Sequence, residues 1–113
     1  MMPSQRLEFL DVSDNVLDAL PAKFGELKWL RVARLARNQL VDMRPFVGLT
    51  GCQELDVSHN EITHIPDAIP TLTSLVTLDL SHNRLAALPP AICLVSFVTF
   101  RRLRAFSTTI RKP

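Results

Sequence analysis

The sequence predicts a short α/β solenoid, with a parallel β-sheet on its concave face and loops or short 3₁₀ or helical turns on its convex face. Three observations predict it. Asparagines recur at positions 15, 38, 60 and 83, a nearly constant period in the low twenties. Around each one the pattern L-x-x-L-x-L-x-x-N-x-L can be read. Leucine supplies 18 of the 113 residues, while aromatic residues make up only 6%, which fits a core of one side-chain type stacked in layers. A fixed period of this length marks an architecture whose copies bury their apolar faces only against one another.

The four copies align residue by residue. Copy one carries Leu7, Leu10, Val12, Asn15 and Leu17; copy two carries Leu30, Ala33, Leu35, Asn38 and Leu40. Copy three carries Cys52, Leu55, Val57, Asn60 and Ile62; copy four carries Leu75, Leu78, Leu80, Asn83 and Leu85. Apolar residues two apart, such as Leu78 and Leu80, point to one side of a strand. The asparagine follows the strand, where the chain turns and leaves backbone groups unpaired. Its amide can both donate to and accept from such groups, so Asn15, Asn38, Asn60 and Asn83 are expected to form an internal structural ladder. Cys52 occupies a leucine slot and reads as a small buried hydrophobe rather than a reactive thiol.

In the second half of the copies, Leu20-Pro21, Ile65-Pro66 and Leu88-Pro89 share one position and are followed by Phe24, Ile69 and Ile92. With these motifs the chain resembles the leucine-rich repeat family over about residues 7–96. The L-P-x-x-[IF] form is similar to intracellular Ras-associated and scaffold-type repeats. Copy two, with Met43-Arg-Pro45-Phe46 and one residue fewer, is similar to the repeats of protein phosphatase 1 regulators. The proline class favours irregular or 3₁₀ segments over full helices on the convex side. The organisation expected is a lead at 1–6, repeats at 7–29, 30–51, 52–74 and 75–96, and a degenerate fifth repeat or basic tail at 97–113.

Strand residues between the core positions face outward in columns. From copy one to copy four these are Phe9, Val32, Glu54, Thr77; then Asp11, Arg34, Asp56, Asp79; then Ser13, Ala36, Ser58, Ser81; and last Asp14, Arg37, His59, His82. Strands lie about 4.8 Å apart, so Arg34 is expected within reach of Asp11 or Asp56. With Arg31 and Arg37 it makes copy two a basic band between acidic and neutral strands. Solvated ion pairs of this kind contribute little individually. The band, with Phe9 and Val32 beside it, also has the residue types enriched at interaction hot spots. The candidate partner-binding residues are therefore Phe9, Asp11, Arg31, Val32, Arg34, Arg37, Asp56, His59, Asp79 and His82.

Two His and two Asp on adjacent strands invite a zinc reading, but each Asp-x-Ser-His-Asn stretch is mostly repeat pattern, so the clustering follows from copying. No phosphate loop, nucleophile elbow or paired catalytic carboxylate motif occurs. We expect no metal, no cofactor and no catalysis. Cys52 and Cys93 do not form a disulfide framework. The start lacks an apolar leader, and the uncharged stretch Leu85–Phe100 contains Pro89 and Pro90 and falls short of the roughly 20 residues that span a bilayer. The expected setting is cytoplasmic.

The near-neutral total charge of +2 conceals an asymmetry. Residues 1–79 hold 7 basic and 11 acidic residues, net −4; residues 80–113 hold 6 basic and no acidic residues, net +6. If Phe97 and Phe100 start a fifth copy, Arg102 takes a core slot and Ala105 the asparagine slot, so the pattern fails. Residues 97–113 then read in three ways: a capping strand that frays, a remnant replacing further repeats, or a basic segment for nucleic acid or anionic lipid. Nucleic acid and membrane are the disfavoured partners. Ser107, after Arg102-Leu-Arg104, also fits a basophilic kinase site. Both solenoid ends look poorly capped, so self-association is expected. The function expected is a non-catalytic protein-interaction module, in which a small-GTPase pathway rests on the resemblance alone. The alternative is the regulatory arm of a phosphatase or GTPase whose catalytic part lies elsewhere.

Overall fold

The computed structural model describes residues 6–68 and 72–85 and, as backbone, a strand at 102–104. Five three-residue strands form one parallel sheet in sequence order: β1 (Phe9–Asp11), β2 (Val32–Arg34), β3 (Glu54–Asp56), β4 (Thr77–Asp79) and β5 (Arg102–Arg104). The first four pair in the register that the repeat predicts, Leu10 with Ala33, Ala33 with Leu55 and Leu55 with Leu78.

The fifth strand differs from expectation only in the register of a fifth copy begun at Phe97 and Phe100. Arg102 pairs with Thr77, Leu103 with Leu78 and Arg104 with Asp79. Leu103, not Arg102, therefore aligns with the core column, further along the chain than the period of the first four copies would place it. In that register the sequence supplies Phe100, Ala105, Thr108 and Ile110 where copy four has Leu75, Leu80, Asn83 and Leu85.

The backbone groups that flank each strand are taken up by the next copy. The N–H groups of Arg31 and Val32 both donate to the Glu8 carbonyl, those of Gln53 and Glu54 to Arg31, and those of Val76 and Thr77 to Gln53. Beyond the strands the direction reverses: the N–H groups of Val12, Leu35 and Val57 donate to the carbonyls of Arg34, Asp56 and Asp79. Bonds therefore run both ways across the three boundaries between the first four copies, which fixes their stacking.

Leu30, Leu35, Leu40, Leu55, Ile62, Leu75, Leu78, Leu80 and Leu85 are buried in one continuous core. Full burial of such a side chain contributes about 1.5–3 kcal/mol. Copy one differs: Leu7, Leu10, Val12, Leu17 and Leu20 are only partly buried, because among the described residues no copy covers their outer side. The convex layer holds two 3₁₀ turns, Ala22–Glu26 and Arg44–Phe46, as the proline pattern leads one to expect. Phe24 and Phe46 meet edge to face across them, with ring centroids 5.7 Å apart. Gly25 makes that contact possible: a Cβ there would sit 2.4 Å from the Val47 carbonyl oxygen.

Candidate functional site

The concave face is built by the outward columns, and the register places them as the sequence predicts. Phe9, Val32, Glu54 and Thr77 stand side by side, as do Asp11, Arg34, Asp56 and Asp79. The side chains, however, are engaged in ways that the column view does not reveal.

Asp56 and Asp79 fold back onto their own turns. Asp56 Oδ1 accepts the Ser58 N–H at 3.0 Å and the Ser58 hydroxyl at 2.7 Å. Asp79 Oδ1 accepts the Ser81 N–H at 3.0 Å and its hydroxyl at 2.6 Å. Asp11 accepts the Ser13 N–H at 3.0 Å. Its carboxyl is held below the usual value first by that N–H, then by the Ser13 hydroxyl, with a smaller Coulombic contribution from Arg34. The Asp-x-Ser pair is thus a turn lock that closes the end of the strand.

Copy two lacks the lock. Arg34 replaces the aspartate and Ala36 the serine, so both halves change together. Arg34 reaches diagonally to Glu54, 3.4 Å away, rather than to its register neighbours Asp11 and Asp56. Its guanidinium also lies 5.4 Å from the centre of the Phe9 ring, which is 52% exposed. Arg31 faces Glu8 at 3.7 Å and Arg37 faces Asp14 at 3.9 Å. All three pairs are long and solvent-exposed, so they add little stability. The basic band is therefore paired but loosely held. A second cation–π pair places Arg6 5.3 Å from the centre of the half-exposed Trp29 ring; neither residue has a strong signal in the sequence.

The last column shares a backbone feature that pattern reading misses. Asp14, Arg37, His59 and His82 all have positive φ, between 55° and 60°. Each precedes a ladder asparagine at the tightest point of the turn. Left-handed backbone tilts these side chains alike, and His59 and His82 stack with ring centroids 4.1 Å apart and planes 13° from parallel. His64 contacts Thr63 Oγ1 through Nδ1 at 3.2 Å. Among the described residues no three His, Cys, Asp or Glu side chains are grouped to hold a metal ion.

The ladder itself is internal in three of its four members. Asn38, Asn60 and Asn83 are buried and each spans two copies. Their Oδ1 atoms accept the N–H groups of Leu17, Leu40 and Ile62 at 3.0–3.1 Å. Their Nδ2 groups donate to carbonyls of their own turns and to Val12, Leu35 and Val57 of the preceding copy. Asn15 departs from the expectation: it is exposed and its amide donates only within its own turn, to Val12 and Ser13. Cys52 is buried and donates from Sγ to the Glu54 carbonyl at 3.3 Å; its thiol pKa is raised to about 11, chiefly by burial. On the convex side a shallow groove of about 360 Å³ is lined by Leu20, Ala22, Asp42, Arg44 and Pro45. Ser107, the candidate phosphosite, and Cys93 lie outside the described residues.

Comparison with known proteins places this geometry. Residues 30–85 match the family model described as leucine rich repeat. Mouse vasorin is 41% identical over 69 residues, covering 58% of this chain and 10% of vasorin. Human vasorin is 40% identical over 65 residues, covering 55% and 10%. The chain thus spans about a tenth of the length of these relatives. Among solved structures, a Leptospira interrogans leucine-rich-repeat protein superposes with a TM-score of 0.84 at 34% identity, over 90% of this chain and 26% of that one. An internalin from Listeria monocytogenes shares the fold, with a TM-score of 0.79 at 21% identity, over 96% and 31%. The period, the asparagine ladder and the stacked parallel strands agree with these matches, and the chain is a leucine-rich repeat protein.

Proposed function

We propose that the chain is a non-catalytic module that binds another protein on its concave face, as part of a scaffold or signalling assembly. Leucine-rich repeat domains are protein-interaction modules, and that much follows from the family. The finer reading rests on one observation: among the first four strands β2 exchanges the Asp-x-Ser lock for Arg34 and Ala36. The exchange gives up an internal turn bond, and the arginine it introduces lies over an exposed aromatic ring. Arginine and aromatic side chains dominate binding energy where they meet a partner. A partner segment that offers a carboxylate to Arg34 or Arg37 and an apolar group to Phe9 and Val32 fits this surface.

A small-GTPase pathway is proposed from the resemblance of the L-P-x-x-[IF] motifs alone. A cytoplasmic setting is proposed too; Cys52 supports it as a free, buried thiol within the core. The test is affinity capture with the wild-type chain and with Arg34→Glu combined with Arg37→Glu. Loss of the captured protein, with an unchanged circular dichroism spectrum, supports the concave site. Undiminished capture by the variant removes it.

A further inference from the structure

The three internal boundaries between copies use one set of contacts, and the outer side of copy one presents half of that set. In copy two the groups facing upstream are the N–H groups of Arg31, Val32 and Gln39, the carbonyls of Arg34 and Ala36, and Asn38 Oδ1. Their counterparts in copy one are the N–H groups of Glu8, Phe9 and Val16, the carbonyls of Asp11 and Ser13, and Asn15 Oδ1. Among the described residues no strand pairs with this outer edge of β1, and no N–H donates to Asn15 Oδ1. The apolar layer behind it, Leu7, Leu10, Val12, Leu17 and Leu20, is only partly buried. In copy two Leu30, Ala33, Leu35, Leu40 and Met43 are at most 1% exposed. Val16, beside Asn15, is 76% exposed.

We propose that this edge docks the C-terminal end of a second copy of the chain, head to tail, with β5 of one copy pairing in parallel with β1 of the next. Register and charge select that occupant. Continuing the observed register sets Arg102 against Phe9, Leu103 against Leu10 and Arg104 against Asp11. The same arrangement of residue types already occurs within the chain. Arg34 registers with Asp11 and its guanidinium lies over Phe9, and Arg104 registers with Asp79. The acidic body, net −4 over residues 1–79, would thus meet a strand that carries Arg102 and Arg104 and no acidic residue. The contact is heterologous, so it repeats from one copy to the next and grows with concentration instead of closing at a dimer.

Glu8→Pro tests it with little harm to the fold. The Glu8 carbonyl, which accepts from Arg31 and Val32, stays in place, while the N–H lost is one that faces outward, and proline is tolerated on edge strands. Mass is followed by sedimentation velocity across protein concentrations, with circular dichroism as the folding control. The expected result is concentration-dependent association of the wild-type chain and its loss in Glu8→Pro alone. Fluorescently labelled Glu8→Pro should still join wild-type assemblies through its intact C-terminal end. A wild-type chain that is monomeric throughout overturns the proposal, as does undiminished association of Glu8→Pro. Exclusion of the labelled variant from wild-type assemblies also overturns it, because that would mean pairing of two β1 edges. Should Glu8→Pro not fold, Asp11→Arg replaces it. Copy two already accepts arginine at that slot, and the change should abolish association by opposing Arg104.

Discussion

Asn60 Oδ1 accepts the backbone N–H of Leu40 at 3.0 Å, across the boundary between copies two and three. The same side chain donates to the carbonyls of Leu35, Val57 and Ser58. One buried amide thus satisfies four backbone groups, and one of the carbonyls belongs to the preceding strand's exit.

Removing that amide leaves several of those groups buried without partners. Asn60→Ala is expected to cost about 1–3 kcal/mol. Asn15→Ala should cost clearly less, since Asn15 is exposed and touches only its own turn. Urea denaturation of the two variants checks the ranking; equal losses would contradict the ladder geometry.

The left-handed turn position makes an opposite prediction at Arg37. Its φ of 58° is unfavourable for an arginine, whereas asparagine visits this region readily. The ion pair it would lose is 3.9 Å long and exposed on both sides. Arg37→Asn should therefore raise stability, by about 0.5–1 kcal/mol. A lower denaturation midpoint would show that the Asp14 pair outweighs the backbone strain.

Gly25 admits no side chain. A methyl there would meet the Val47 oxygen at 2.4 Å and the Pro45 oxygen at 3.0 Å, both backbone atoms with little freedom to yield. Gly25→Ala is expected to separate Phe24 from Phe46 and to cost about 1–3 kcal/mol. Thermal unfolding measures the loss, and a midpoint equal to that of the wild type would sink the close-approach account.

Burial of Cys52 gives a pH dependence with a definite sign. The thiol rises from 9.0 to about 11 in the folded chain. Below the unfolded value both states keep the proton, and its contribution is fully present. As pH rises towards about 11 the unfolded chain ionises first, so stability falls. In native protein at neutral pH Cys52 should resist alkylation, and it should react once the chain is denatured. Peptide mass mapping after iodoacetamide treatment locates the label. Rapid native labelling at Cys52 would contradict its burial.

The sequence by itself determined the repeat register, the core columns and the ladder. These depend on a local pattern copied at a nearly constant period. Leu10, Ala33, Leu55 and Leu78 could be aligned without coordinates for that reason. The tertiary structure decided what happens where neighbours are diagonal, backbone is unusual or copies run out. Arg34 takes Glu54 instead of Asp11 or Asp56 because a long guanidinium selects its partner by geometry across the sheet, not by column. His59 and His82 stack because the turn forces both into left-handed backbone, which no residue type in the pattern announces. Asn15 is exposed because among the described residues no copy lies on its outer side, and the register of Leu103 with Leu78 is set by strand pairing and not by the regular period. Periodicity specifies which residues stack, but not the diagonal partner of a long side chain or the backbone angle of a turn, which depend on contacts across the sheet.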